Sequence, residues 1–266
     1  MPSLPASCLL AQAVIACGNV KMKHVPTLTD PGLTTLYLAG LSQVLTLEVE
    51  GNQLRDRDIS PLAFQPLCSL LYLRLDWNRL RTIPRGLLAS LQELHLSTNL
   101  IQEVTEGALS HIHSLSVLVL SHNRLQEHQL APRAWIHLPK LETCPTTSSC
   151  TCPTIGCRLT VSSVSFLGLH ASLAELLLDH NQLQTIPHGL LGLKGLQVLG
   201  LSHNRIRQVP LNSICDMHVA QNSNLISIHL ENNLTDQRRI PPTAFSCIRA
   251  YHSVVLQPQR GEEEGS

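Results

Sequence analysis

The chain has 266 residues, 43% hydrophobic but only 3% aromatic, and 19 basic side chains balance 19 acidic ones. A core of this composition is filled by Leu, Ile and Val, and the balanced charge gives no whole-chain argument for nucleic acid or an anionic membrane as partner. No stretch approaches the roughly 20 consecutive apolar residues of a membrane span, and no Gly-x-Ser-x-Gly, His-Glu-x-x-His, P-loop or dinucleotide fingerprint points to an enzyme or a bound cofactor.

In chain order, the first segment, 1–32, holds Cys8 and Cys17 around a short apolar run. No basic residue precedes that run, so it is a poor secretion signal, and a secreted protein would need its signal elsewhere. At Leu33, Leu36 and Leu38 a repeat begins, but Leu41 stands where the pattern calls for Asn. Coils are expected to have been lost there.

From Val44 onward a template of apolar-x-x-apolar-x-apolar-x-x-Asn-x-apolar recurs. It fits Val44, Leu47, Val49, Asn52, Leu54; then Leu70, Leu73, Leu75, Asn78, Leu80; then Leu91, Leu94, Leu96, Asn99, Ile101; then Leu115, Leu118, Leu120, Asn123, Leu125. After a gap it returns at Leu173, Leu176, Leu178, Asn181, Leu183 and at Leu196, Leu199, Leu201, Asn204, Ile206. A last copy runs Leu225, Ile228, Leu230, Asn233, with Thr235 where an apolar residue belongs.

The pattern has a direct physical reading. Leu-x-Leu alternates with period two, so both leucines of a short strand point inward. Each Asn turns the chain away, and its amide can satisfy backbone groups of neighbouring coils in a buried ladder. No coil buries its own leucines, so stability comes from stacking. The return segments carry Ile83-Pro84, Ile186-Pro187 and Val209-Pro210, which suit an extended convex side, or Ala63-Phe64, Ala134-Trp135 and Ala244-Phe245, which would plug it. The expected fold is an α/β leucine-rich-repeat solenoid: a curved horseshoe with a parallel sheet on its concave face and irregular, 3-10 or polyproline segments on its convex face.

At this point the sequence resembles the small leucine-rich repeat proteoglycan group of matrix proteins, in particular its extracellular-matrix-protein-2-like and podocan-type members. The resemblance rests on Cys8-Leu-Leu through Ile15-Ala-Cys17-Gly-Asn19, Ser60-Pro-Leu-Ala-Phe64 and Leu178-Asp-His-Asn181. It rests further on Ser223-Asn-Leu, His229-Leu-Glu-Asn-Asn233, Phe245-Ser-Cys-Ile-Arg-Ala-Tyr251 and Val254-Val-Leu-Gln-Pro-Gln259. It implies cysteine-containing caps: a disulfide between Cys215 and Cys247 closing a long, ear-like last coil, and an N-terminal cluster of which Cys8 and Cys17 match only the second half, with their partners open. It divides the chain into an incomplete cap (1–32), repeats (33–143), an insert (144–163), repeats (164–214), an ear-type capping repeat (215–259) and an acidic tail (260–266). It also implies a secreted location and partners such as collagen, other matrix proteins, glycosaminoglycans or adhesion receptors.

The sheet face is where such an array usually meets its ligand. Its outward columns read Glu48, Arg74, His95, Val119, Leu177, Gly200, His229, then Glu50, Asp76, Ser97, Ser121, Asp179, Ser202, Glu231, then Gly51, Trp77, Thr98, His122, His180, His203, Asn232. Exposed Val119 and Leu177 with Trp77 would give a partner an apolar patch. The plain reading of the histidines is a habitual repeat residue; the sharper one is pH-sensitive binding.

Other features weigh less. Cys144, Cys150, Cys152 and Cys157 lie in a Ser/Thr/Pro-rich insert, with a spacing that matches no common zinc pattern; local disulfides or an irregular, aberrantly spliced segment remain open. The insert would split the curved surface into two pieces. Cys68 reads as a buried small hydrophobe. Basic groups at Lys21 and Lys23, Arg79, Arg81 and Arg85, Arg205 and Arg207, and Arg238 and Arg239 suit solvated surface better than the dense runs of a sulfated-polysaccharide site. The glycosylation sequon at Asn233 falls on a ladder position, where modification is not expected. A non-enzymatic matrix binder is the leading reading; an intracellular adaptor and a truncated or mis-spliced product without stable function are the alternatives.

Overall fold

The structure, a computed structural model, describes residues 8–11, 13–23, 25, 43–104, 108–109, 111–126, 171–187, 189–215 and 223–260. Ten short strands form one sheet in sequence order: β1 (Leu9–Ala11), β2 (Val14–Ala16), β3 (Thr46–Glu48), β4 (Tyr72–Arg74), β5 (Glu93–His95), β6 (Val117–Val119), β7 (Glu175–Leu177), β8 (Val198–Gly200), β9 (Ser227–His229) and β10 (Val254–Val255). β1 and β2 form an antiparallel hairpin, and every later pairing is parallel. The middle residue of each three-residue strand from β2 to β9 lines the core: Ile15, Leu47, Leu73, Leu94, Leu118, Leu176, Leu199 and Ile228 are all at most 5% exposed.

The Asn ladder holds the coils together. Asn123 donates from Nδ2 to the carbonyls of Leu96 (2.9 Å), Leu120 (3.0 Å) and Ser121 (3.2 Å). Its Oδ1 accepts the amide of Ile101 at 3.0 Å. Asn52, Asn78, Asn99, Asn181, Asn204 and Asn233 repeat that pattern between their own coils. Successive asparagines share carbonyls, Leu96 accepting from Asn99 and Asn123 and Leu120 from Asn123 and Asn181, so the ladder is continuous, and each Oδ1 pairs a buried amide of the coil before it.

The sheet does not break at the insert. β6 pairs directly with β7, Leu118 opposite Leu176, and Leu125 donates to Asn181 Oδ1 across a separation of 56 residues. The expectation of two surface pieces is therefore corrected: sheet and ladder run on from Asn123 to Asn181 because the strand and ladder groups of the two coils meet in register. β2 likewise meets β3 directly. The aberrant coil around Leu33–Leu41, the Ala134-Trp135 plug, Leu141, the cysteines at 144, 150, 152 and 157 and the tail at 261–266 lie outside the described residues.

The ends are stapled. Cys8 is bonded to Cys17 across the first hairpin, and Cys215 to Cys247 across the last coil. The convex side is packed by Phe64, Ala63, Ile83, Ile186, Val209 and Ala244, all buried, with short 3-10 turns at Asp56–Asp58, Leu190–Gly192, Gln237–Arg239 and Tyr251–Ser253. Cys68 is a correction: it lies exposed on a return segment with its thiol 3.7 Å from the Gln65 carbonyl. Leu67 and Leu70 on either side of it fill the core instead.

Candidate binding face

Register fixes which outward side chains adjoin. Glu48 lies beside Arg74, Arg74 beside His95, His95 beside Val119, Val119 beside Leu177, Leu177 beside Gly200 and Gly200 beside His229. A second outward row, which the sequence reading did not single out, is Thr46, Tyr72, Glu93, Val117, Glu175, Val198 and Ser227. Its signal was present: the alternation that buries Leu47 exposes the residues on both sides of it.

Charge dominates the N-terminal half. Arg74 Nε donates to Asp76 Oδ2 at 2.9 Å and lies 4.0 Å from Glu50 Oε2. The hydrogen bond to Asp76 makes the guanidinium harder still to deprotonate, and burial raises the Tyr72 phenol. His95 sits 3.5 Å from a Glu93 oxygen and 4.9 Å, ring to ring, from Tyr72. In the C-terminal half His229 Nδ1 lies 3.6 Å from Glu231.

Two expectations about this face change. Asp76 is only 6% exposed and is no free partner contact: its other oxygen accepts the Ser97 amide at 2.6 Å, an N–H of the next coil. Asp179 does the same for the Ser202 amide at 2.8 Å and lies over Gly200, where an added Cβ would clash with its carboxylate. Ser121 and Ser202 in that column are buried as well. Second, Val119 and Leu177 are half-buried, flanked in the other row by Val117 and Val198, and Trp77 does not join them. Trp77 is 63% exposed but belongs to the β4 turn, with the His95–Thr98 segment between it and Val119.

The histidine column has a backbone cause. The residue before each ladder Asn is left-handed: Gly51 (φ 68°), Trp77 (55°), Thr98 (53°), His122 (55°), His180 (54°), His203 (53°) and Asn232 (57°). His is enriched in that region among non-glycine residues, as Asn is. The same geometry stacks His122 on His180 with centroids 4.0 Å apart and His180 on His203 at 3.9 Å. Burial, followed by the flanking His122 and His203, holds the His180 imidazole below its ordinary value.

At the C-terminal end Gln259 takes the ladder role. Its Oε1 accepts the Thr235 amide at 3.2 Å, and its Nε2 donates to the Leu230 carbonyl at 2.9 Å and to Leu256. Thr235, which departs from the template, is buried with its hydroxyl donating to the Ile206 carbonyl at 2.9 Å. Asn233 is fully buried and its Nδ2 is engaged with Leu201, Leu230 and Glu231 carbonyls.

The leucine rich repeat family profile matches residues 86–143 and 171–219. Podocan-like protein 1 of Homo sapiens is 31% identical over 85% of this chain and 34% of its own length. Biglycan of Xenopus laevis is 31% identical over 79% of the chain and 48% of its own, and lumican of Gallus gallus 28% over 87% and 56%. The chain thus spans about a third to just over half the length of these relatives. Among solved structures, a chain of the octameric complex of Latrophilin 3, Unc5D and FLRT2 superposes with a TM-score of 0.64 at 22% identity, covering 92% of this chain and 60% of that one. The leucine-rich repeat domain of APL1B gives 0.57 at 17% identity, covering 93% and 65%.

Proposed function

We propose, from the premise that the chain belongs to the leucine-rich-repeat family and has small leucine-rich repeat proteoglycans as relatives, that it is a non-enzymatic matrix protein whose concave sheet binds basic segments of other matrix proteins, collagen among them, or of cell-surface receptors. One observation carries the reading. The three outward rows, which run from Thr46, Glu48 and Glu50 across to Ser227, His229 and Glu231, hold seven carboxylates, Glu48, Glu50, Asp76, Glu93, Glu175, Asp179 and Glu231, against a single arginine, Arg74, in a chain whose charges cancel overall. A concave surface of one sign focuses its field on a partner of the other sign and speeds encounter. Half-buried Val117, Val119, Leu177 and Val198 form an aliphatic floor in the middle of that acidic face. Two disulfides at the ends favour an oxidising, secretory compartment over a cytosolic adaptor.

The test is surface plasmon resonance of the purified chain over fibrillar collagen and a panel of purified matrix proteins. The Glu93→Gln, Glu175→Gln double variant is expected to bind several-fold more weakly, chiefly through a slower on-rate that added salt also produces. No binding by the native chain to any of these proteins, or binding untouched by the double variant, overturns the proposal.

A further inference from the structure

The turns that leave the sheet carry the opposite charge. The residue after each ladder position donates its amide to the coil before: Arg79 to the Leu54 carbonyl, Leu100 to Leu80, Arg124 to Ile101, Gln182 to Leu125, Arg205 to Leu183 and Leu234 to Ile206. These residues therefore stand in one hydrogen-bonded column with an arginine on every second coil, and Arg260 extends it by bonding to Asn233. Two positions further along run Arg55, Arg81, Gln102, Gln126, Gln184, Arg207 and Asp236. With the left-handed column of His122, His180 and His203 these rows form a ridge along one rim of the sheet.

The ridge holds seven arginines, at 55, 79, 81, 124, 205, 207 and 260, against Asp236 alone, and all seven are exposed. Among the described residues none of them is in an ion pair; the ion-paired arginines are Arg57, Arg74 and Arg239. Further carboxylates lie at its margins: Asp56, which accepts the amides of Arg81 and Thr82, and Glu103. Past Arg260 the sequence continues into Glu262, Glu263 and Glu264, so the strongest stretch is Arg124 to Arg207.

We infer that this ridge is a binding site for a linear sulfated polysaccharide, separate from the concave face. Stacked coils lie about 4.8 Å apart, which spaces arginines on alternate coils by about 10 Å along a straight rim. A row of regularly spaced guanidiniums suits a chain polymer with regularly repeated anionic groups, each held by bidentate hydrogen bonds. Exposed Trp77, beside Arg79, offers a flat apolar face to a sugar ring. It is the single Phe, Tyr or Trp in these rows, so a nucleic acid finds no run of stacking platforms. Disulfides at both ends also favour a compartment where polysaccharide, not nucleic acid, is the abundant polyanion. Sequence groups of only two or three arginines conceal the site, because the repeat brings residues from separate coils into one row.

The experiment measures affinity for a heparin-derived octasaccharide at two salt concentrations, for the full chain and for two double variants of equal charge change. Arg124→Ala with Arg205→Ala is expected to weaken binding about tenfold or more and to flatten the salt dependence by about one unit of slope per arginine. Arg85→Ala with Arg238→Ala, exposed on return segments, should change it less than about twofold. Both pairs leave backbone amides in place, and circular dichroism checks that the fold is kept. Absence of octasaccharide binding, equal losses in the two variants, or equally tight binding of a single-stranded DNA of matched charge would each overturn the inference. Glu93→Gln with Glu175→Gln should leave octasaccharide affinity undiminished, so failure here is distinguishable from failure on the concave face.

Discussion

Asn123 shows how much one side chain carries. Replacing it by Ala leaves the Ile101 amide without its partner and takes one of two donors from the Leu96, Leu120 and Ser121 carbonyls, which keep Asn99, Asn181 and the Thr98 amide respectively. We expect a loss of about 1–3 kcal/mol in urea unfolding, the cost of one buried group left unpaired; a loss below about 0.5 kcal/mol would show that water replaces the amide. Gly200 makes a subtler case. Gly200→Ala pushes a Cβ against the Asp179 carboxylate that caps the Ser202 amide, so a penalty of about 1–3 kcal/mol is expected. The penalty should shrink in an Asp179→Ala background, because the two sites couple. The ladder asparagines were legible in the sequence because Asn at fixed spacing after Leu-x-Leu has few other uses. Gln259 was not, since its longer side chain follows Pro258 in a coil whose strand is only Val254–Val255. Asp76 was misread because alternation says where a Cβ points, not that a short carboxylate will fold back onto the next coil's N–H. Cys68 was misread for want of periodicity in the return segment.

At the scale of the element, the left-handed column ties backbone geometry to a stack of three imidazoles. The presence of Gly51 and Asn232 in the same column was the sequence signal that the conformation, not a ligand, selects His there. The stack still has a pH consequence. Burial and the two neighbouring rings hold His180 below its ordinary value, with Asp179 opposing them and Arg260 adding to them. A folded value below the unfolded one means that the folded state binds its proton less readily. The associated stability is therefore present above the unfolded value of about 6.5 and is lost as pH falls through the lower folded value. Thermal melts from pH 7.5 to pH 5 should show a smaller acid-induced drop for His180→Asn than for the native chain, Asn being at ease with positive φ. Identical pH profiles would remove His180 from the account.

Over the whole molecule, a net charge of zero hid two surfaces of opposite sign, because composition sums what the coil arrangement separates. The closing disulfide was implied by resemblance alone, and the structure places Cys215 and Cys247 in bond across 32 residues. In the chain-entropy treatment such a closure contributes about 3–4 kcal/mol, so Cys247→Ser is expected to lower stability by that order. The continuity of the sheet was illegible for a physical reason: strand pairing depends on matching rows, and sequence separation says nothing about which coils meet. Leu118 stands opposite Leu176, and the Leu125 amide bonds to Asn181 across a separation of 56 residues. Excising 144–163 would shorten the 56-residue connection to 36 (56 minus the 20 removed), and the closure term changes by only about 0.4 kcal/mol in favour of the fold. We therefore expect the excised chain to unfold in a single transition within about 2 kcal/mol of the native chain. A greater loss, or two separate transitions in calorimetry, would mean that the coils on either side of the junction are held together by the excised residues and not by their shared ladder.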